Sequence, residues 1–283
     1  MWKASERNLQ KVEGIGEKLS KAISNNLIKK DVKRHLEYMQ KHNIDIIGID
    51  DNEYPQLLNQ IYNPPLCLYI IGRKEILNET SIAIVGSRDA TEYGKSVAKD
   101  FAYNLACNGV NIVSGLARGI DTYAHIGSLN AVKEKALVQN EILIEHKEAD
   151  INKSKNTIGK TIAVLGNGLD RIFPPENSNL AEDIIKSGGC IISEYPLGTE
   201  PNRENFPARN RIISGLCNGV LVVEAKPKSG TMITIDFALE QGRDVFAIPG
   251  NIDSISSMGT NEIIRQGAKL VTNYKEILEE YIY

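Results

Sequence analysis

From residue 81 onward the chain alternates between short apolar runs and longer amphipathic stretches. The apolar runs are Ile82–Val85, Asn111–Ser114, Thr161–Leu165, Cys190–Ser193, Gly219–Val223, Asp244–Ile248 and Lys269–Val271. Most are continuously apolar, as strands buried on both faces of a parallel sheet should be. Between the first two, Tyr93–Asn108 sets Val97, Phe101 and Leu105 on one face at i, i+4 spacing, and Gly109 stops the helix. Repetition of this unit predicts right-handed crossovers and an α/β fold, a doubly wound and mostly parallel sheet covered on both sides.

The first 50 residues follow another pattern. Leu9, Val12, Gly14-Ile15-Gly16, Leu19, Ala22 and Ile23 fit a small helical segment of helix, tight glycine turn and helix. Such a turn resembles a helix-hairpin-helix, which offers backbone amides to a DNA phosphate. It equally fits two glycines that cap one helix and admit the next. Residues 51–80 read as a linker and edge strand, with Pro64-Pro65 ahead of the extended run Leu66–Ile71. The main domain is expected over 81–283. An insertion at about 131–159 interrupts it: the first part can extend a helix, and the Lys/Asn/Ser-rich remainder reads as a solvated surface loop, open to a functional or a decorative role, with decoration favoured.

Composition narrows the class. The 283 residues are 42% hydrophobic and 24% charged, the balance of a soluble globular protein with a real core. The apolar stretch Ile212–Val223 falls well short of the ~20 residues of a membrane span. The polar start lacks the apolar region of a secretory signal, so a cytoplasmic protein is expected. Cys67, Cys107, Cys190 and Cys217 lie singly in apolar stretches and read as reduced core thiols; with four histidines also lacking ligand spacing, no metal is expected. The net charge of −3 does not announce a nucleic-acid partner. Residues 1–50 hold eight Lys and two Arg against four Glu and three Asp, a net +3 that leaves −6 for the remainder. Local convergence of basic groups therefore matters more than the total.

In a parallel α/β sheet the ligand site lies beyond the carboxyl ends of the strands. The turns there are Gly86-Ser87-Arg88, Gly115-Leu116-Ala117-Arg118-Gly119-Ile120-Asp121, Gly166-Asn167-Gly168 and, after Glu224, Lys228-Ser229-Gly230-Thr231. Glycines let amides approach an anion, hydroxyls donate, and helix N-termini add positive potential. Arg88 and Arg118 would give bidentate phosphate contacts. Several such turns on one edge point to an oligoanion. Neither the dinucleotide-binding nor the P-loop fingerprint follows a strand, which argues against those cofactors. His125 reads as packing or capping. After the fourth strand, Arg203, Arg209 and Arg211 surround Phe206, with Asn205 and Pro207 at a helix entrance. Cations along a backbone and a ring for stacking suit an unpaired strand. A hydrophobic staple with a solvated arginine face is the plainer alternative; the shared sheet edge favours the strand.

These motifs resemble the DNA-processing protein A family, also called DprA or Smf. The resemblance runs from Ile82 to about Leu278. It is carried by Val85–Arg88, Ser114–Asp121, Ala163–Asp170, Pro174-Pro175-Glu176-Asn177, Asn205–Ile213 and Ser229-Gly230-Thr231. It implies an extended Rossmann-like domain that binds single-stranded DNA and loads the RecA recombinase in natural transformation, without catalysis or cofactor. Ser87 and Arg88 would then hold a phosphate, with Gly86, Gly115, Ala117, Arg118, Gly119 and Asn167 along the groove and Ser229, Gly230 and Thr231 also binding DNA. Arg203 would contact backbone, Phe206 would meet a base, and Asn205, Arg209 and Asn210 would shape the pocket. A homodimer is implied through Ile263, Ile264 and Leu270, residues that core burial would explain as well. The long insertion, the short helical segment and a chain stopping before the winged helix many members carry are departures. The rival is a nucleotide phosphoribohydrolase of the lysine-decarboxylase-like superfamily. Its catalytic glutamate position holds Thr234 here, leaving Glu194 and Glu224 as substitutes, each expected to bond loop amides instead.

Overall fold

The computed structural model describes residues 4–24, 26–144 and 158–281, with backbone alone for 26–31 and 138–144. The chain divides into two compact units, 1–45 and 46–283. The first holds helices α1 (Glu6–Leu9), α2 (Glu17–Ser24) and α3 (Asn26–Lys41). Gly14 adopts φ +84° between α1 and α2, the left-handed value that a tight glycine turn requires. One expectation fails here: residues 1–50 are not all helical. After Asn43 the chain enters strand β1 (Ile44–Gly48), burying Ile44 and Ile47 while Asp45 and Ile46 stay exposed. Five residues directly after a long helix show too little periodicity to separate from it.

The second unit is built on the sheet. Helix α4 (Gln56–Asn59) and strand β2 (Cys67–Gly72) occupy the stretch read as linker and edge strand. Tyr54 and Leu58 are buried there, and the Tyr54 hydroxyl donates to the Pro65 carbonyl at 2.6 Å. The remaining elements follow in turn: β3 (Ser81–Val85), α5 (Glu92–Cys107), β4 (Asn111–Ser114), α6 (Ile120–Ile144), β5 (Thr161–Val164), α7 (Ser178–Lys186) and β6 (Cys190–Ser193). After these come α8 (Asn205–Gly215), β7 (Gly219–Val222), α9 (Gly230–Glu240), β8 (Asp244–Ala247), α10 (Ile255–Arg265), β9 (Lys269–Leu270) and α11 (Lys275–Leu278). Helix α6 runs on to Ile144; the loop portion of the insertion lies outside the described residues.

The strand order is β1-β2-β6-β5-β4-β3-β7-β8-β9. Strands β3 to β9 pair in parallel, and β2 runs antiparallel to β6. Alternate residues of each strand supply two cores. Ala83, Val85, Val113, Ile162 and Val222 face Ile212 and Ile213 of α8, Ile235 of α9 and Ile263 of α10. Ile82, Ile84, Ile112 and Leu221 face Phe101 and Leu105 of α5 and Ile120 of α6. Strands apolar on both sides thus read as continuous runs in sequence. Thr91 caps α5 by accepting from the Gly94 amide at 3.1 Å. Consecutive crossovers leave β3 on one side toward β4 and return on its other side at β7, which makes β3 the switch point.

Candidate functional site

At the carboxyl ends of β3, β4 and β7 a cavity of about 320 Å³ opens between the strand-end turns and the N-termini of α8 and α9. The first turn is positioned by its neighbours. A Cβ on Gly86 would lie 2.7 Å from the Ile120 side chain and 2.8 Å from the Glu224 carbonyl, so only glycine fits. Ser87 donates its amide to the Glu224 carbonyl at 2.8 Å, and its carbonyl accepts from the Ile120 amide at 3.1 Å. That clamps the β3 turn between the β4 and β7 turns. Gly119, at φ +74°, lets the second turn press against the Ser87 carbonyl, which a Cβ would overlap.

The floor is charged and buried. Arg209 of α8 is 4% exposed and donates to the carbonyls of Gly115, at 2.9 Å, and Val164. The Asp121 carboxylate accepts from the amides of Gly115 and Ala117 at 3.1 and 3.3 Å. Burial pushes the Arg209 pKa down to about 10, against the opposing pull of Asp121, so the guanidinium stays charged at neutral pH. Burial raises the Asp121 carboxyl, and Arg209 and the two amides counter it. Asn177 completes the floor, donating to the Leu116 carbonyl at 2.8 Å. Below it His125, as expected, is packing. Thr161 donates its hydroxyl to the Ile112 carbonyl at 3.0 Å, so it accepts from His125 Nδ1 at 2.6 Å. Burial and then Arg209 depress this imidazole to about 3.

The rim is open. Arg88 is exposed and its guanidinium carbon lies 5.7 Å from the centre of the Phe206 ring, in cation–π range. Phe206 sits in the first turn of α8 and lies over Gly166, where a Cβ would be 3.0 Å from its ring. Ser229 precedes α9 as its N-cap but makes no side-chain capping bond, and its Oγ has no hydrogen-bond partner among the described residues. Thr231, 8% exposed, adds a second hydroxyl to the cavity wall. These groups and the first amides of α9 give that end of the cavity a wall of hydrogen-bond donors, the chemistry an anion would need.

Of the residues singled out in the sequence, Gly86, Ser87, Arg88, Ala117 and Phe206 line the cavity, as do Arg209, Asn210, Ser229, Gly230 and Thr231. Gly115 and Gly119 act through packing beneath it. Four expectations need correction. Arg118 is not among the residues lining the cavity and forms an exposed ion pair with Glu176. Asn167 is fully buried, donating to the carbonyls of Gly168 and Arg171 at 2.9 and 2.7 Å, so it holds its turn rather than a ligand. Arg211 is not a groove cation: it forms a bidentate pair with Glu194 at 2.7 and 2.6 Å and donates to the Asn63 carbonyl at 3.0 Å. Glu194 therefore bonds that guanidinium and not loop amides. Glu224, by contrast, accepts from the Thr91 amide at 3.0 Å and its hydroxyl at 2.5 Å.

Arg203 is exposed just ahead of α8, and Asn205 starts that helix outside the cavity lining. Ile263 is 3% exposed in the core and Ile264 is partly buried against it, so only Leu270, at 46%, presents a broad apolar surface. The sequence reading missed Lys226, which lines the cavity and pairs with Asp89 at 3.3 Å. Its signal was available: it stands two residues past Glu224, ahead of the Lys228–Thr231 loop. It also missed Phe173, whose ring centre is 5.6 Å from that of Phe206.

Comparison with known proteins bears on this geometry. The DNA recombination-mediator protein A family matches residues 45–145 and 146–282. The Smf protein of Escherichia coli K12 is 42% identical over 251 residues, 89% of this chain and 60% of its own length. Smf of Synechocystis is 39% identical over 281 residues, 98% of this chain and 64% of its own. The chain thus spans less than two thirds of these relatives. The structure of DNA processing protein A from Streptococcus pneumoniae superposes with a TM-score of 0.72 at 38% identity, covering 87% of this chain and 78% of that one. That of the Helicobacter pylori protein, described for its single-stranded DNA binding mode, gives 0.66 at 27%, covering 84% and 94%. Among the described residues no helix is long and apolar enough to cross a membrane. Sequence motifs, sheet topology and the matched families agree that the chain belongs to the DNA recombination-mediator protein A family.

Proposed function

We propose that this protein binds single-stranded DNA at the switch-point cavity and acts as a non-catalytic recombination mediator that delivers the strand to a RecA-type recombinase. The observation that carries the reading is the pairing of an exposed arginine with an aromatic ring, Arg88 with Phe206, on the rim of a cavity walled by hydroxyls and helix amides. A phosphate meets Arg88, Ser87 and the N-terminus of α9, and a base stacks on Phe206. The Helicobacter relative supports the choice of ligand. Phosphate contact and stacking carry little base information, so binding is salt-sensitive and indifferent to sequence. Homodimerisation through the face that carries Leu270 belongs to the same proposal.

The phosphoribohydrolase alternative has less behind it. Thr234 stands where that chemistry needs an acid, and both substitute carboxylates are engaged, Glu194 by Arg211 and Glu224 by Thr91. Release of free base from nucleoside monophosphates would revive it.

The direct test is fluorescence anisotropy with an unlabelled-competitor control. Arg88→Ala and Phe206→Ala are each expected to weaken single-strand binding at least tenfold while the melting temperature holds. Unchanged affinity in both variants would defeat the assignment. Loading of RecA onto strands coated with single-strand-binding protein tests the mediator role, and a monomer mass by light scattering at micromolar concentration would count against the dimer.

A further inference from the structure

The proposed interface uses one ring, and the structure holds a second beside it. Phe173 is 40% exposed, and its ring lies 5.6 Å from Phe206, inclined by 34°. We propose that Phe173 forms a second base-binding subsite, so that the interface takes two unpaired bases in succession. This rests on the single-strand reading of Phe206.

The spacing decides how a base would sit. Insertion between two rings requires about 7 Å, twice the ~3.5 Å contact distance of stacked carbon atoms. At 5.6 Å the pair is closed to insertion, so the second base lies on the exposed side of Phe173 while the first uses Phe206 near Arg88.

The loop that carries Phe173 is held before any strand arrives. Asn167 bonds the carbonyls of Gly168 and Arg171. Asp170 accepts from the Gly198 amide at 2.8 Å, the Gly168 amide donates to the Thr199 carbonyl at 3.0 Å, and Arg171 pairs with Glu200. These ties brace residues 167–171 against 198–200, and Pro174, next in sequence to Phe173, is buried. A large apolar ring left part-exposed on a braced loop loses little freedom on binding, which favours stacking. Buried Asn167 thereby serves the interface indirectly, by holding the platform in place.

The test compares two ligands of equal length and charge, an oligothymidylate and the same backbone with every base removed, titrated by anisotropy against wild type, F173L, F173W and F206A. F173L is expected to lose about 5- to 20-fold in affinity for the oligothymidylate and to change less than twofold with the abasic strand. F173W, with a larger ring, is expected to match or exceed wild type on the oligothymidylate alone. Loss of F206A binding with F173L unchanged would overturn the second subsite and leave the function standing, with Phe173 as a mere support. Equal losses of F173L on both strands would also overturn it, since they would report a displaced groove. Should F173L fail to fold, F173W weaker than wild type on the oligothymidylate would do the same. F206A binding both strands like wild type would bring down the single-strand reading itself.

Discussion

Two arginines border the cavity at the switch point of the sheet, one in its floor and one on its rim. Arg209 is buried under α8 and uses its donors on the carbonyls of Gly115 and Val164. Arg88 stands in solvent above Phe206 and, among the described residues, enters no ion pair. In sequence both are arginines next to glycine-rich or aromatic motifs, and composition treats them alike. Burial separates them: the floor charge is committed to shaping two turns, and the rim charge is left for a ligand. Substitutions that break the floor should therefore act on stability first, and those on the rim on binding alone.

The largest effect is expected at the floor. Arg209→Met keeps the volume but strands two carbonyls and leaves Asp121 without its nearby opposite charge. Removing one partner of a buried charged network costs about 3–5 kcal/mol. Urea denaturation should register a loss of that order, and binding should fail with it. Arg88→Ala should leave the urea midpoint where it was. A small stability loss in Arg209→Met would mean that Asp121 is satisfied by its two amides alone, and the division between floor and rim would blur.

His125 gives the next effect, on the pH axis. Its folded pKa, about 3, lies far below the ordinary histidine value of 6.5, so between these the unfolded chain binds a proton that the folded protein refuses. Stability is then full above pH 6.5 and falls as the pH drops toward 3. At pH 5 the deficit from this one group is about 2 kcal/mol. His125→Asn keeps a donor for Thr161 and cannot titrate. It should be less stable than wild type at pH 7.5 yet lose less between pH 7 and 5. Parallel curves for the two proteins would show that His125 is not held neutral.

The architecture was largely legible because burial writes itself into strands such as Ile82–Val85 and Gly219–Val222, apolar at every position. Strand β1 was not, since only the short turn at His42-Asn43, with Asn43 at φ +52°, divides its five residues from α3. At the site, glycines and hydroxyls were found because close approach demands those residue types at Gly86, Gly119 and Ser229. The direction of long side chains was the hidden part. Arg118, Arg209 and Arg211 look equivalent in sequence, and only the tertiary partners Glu176, Gly115 and Glu194 distinguish them. Phe173 escaped for the same reason: its partner ring is 33 residues away.

The smallest effects belong to the outer charges, and they sharpen what counts as rim. Arg203 is exposed ahead of Phe206, so Arg203→Ala should reduce the slope of log affinity against log salt by about one, evenly across sequences. Arg118 is also exposed, yet its guanidinium is bound to Glu176. That ion pair raises the Arg118 pKa and lowers the Glu176 pKa, so both stay charged across the working pH range and largely cancel at the distance of a phosphate. Arg118→Ala should accordingly change the slope less than Arg203→Ala, and Glu176→Gln should tighten binding by freeing the arginine. Equal slopes for the two alanine variants would instead mean that the strand pulls Arg118 off its carboxylate, which would extend the rim from β3 across β4.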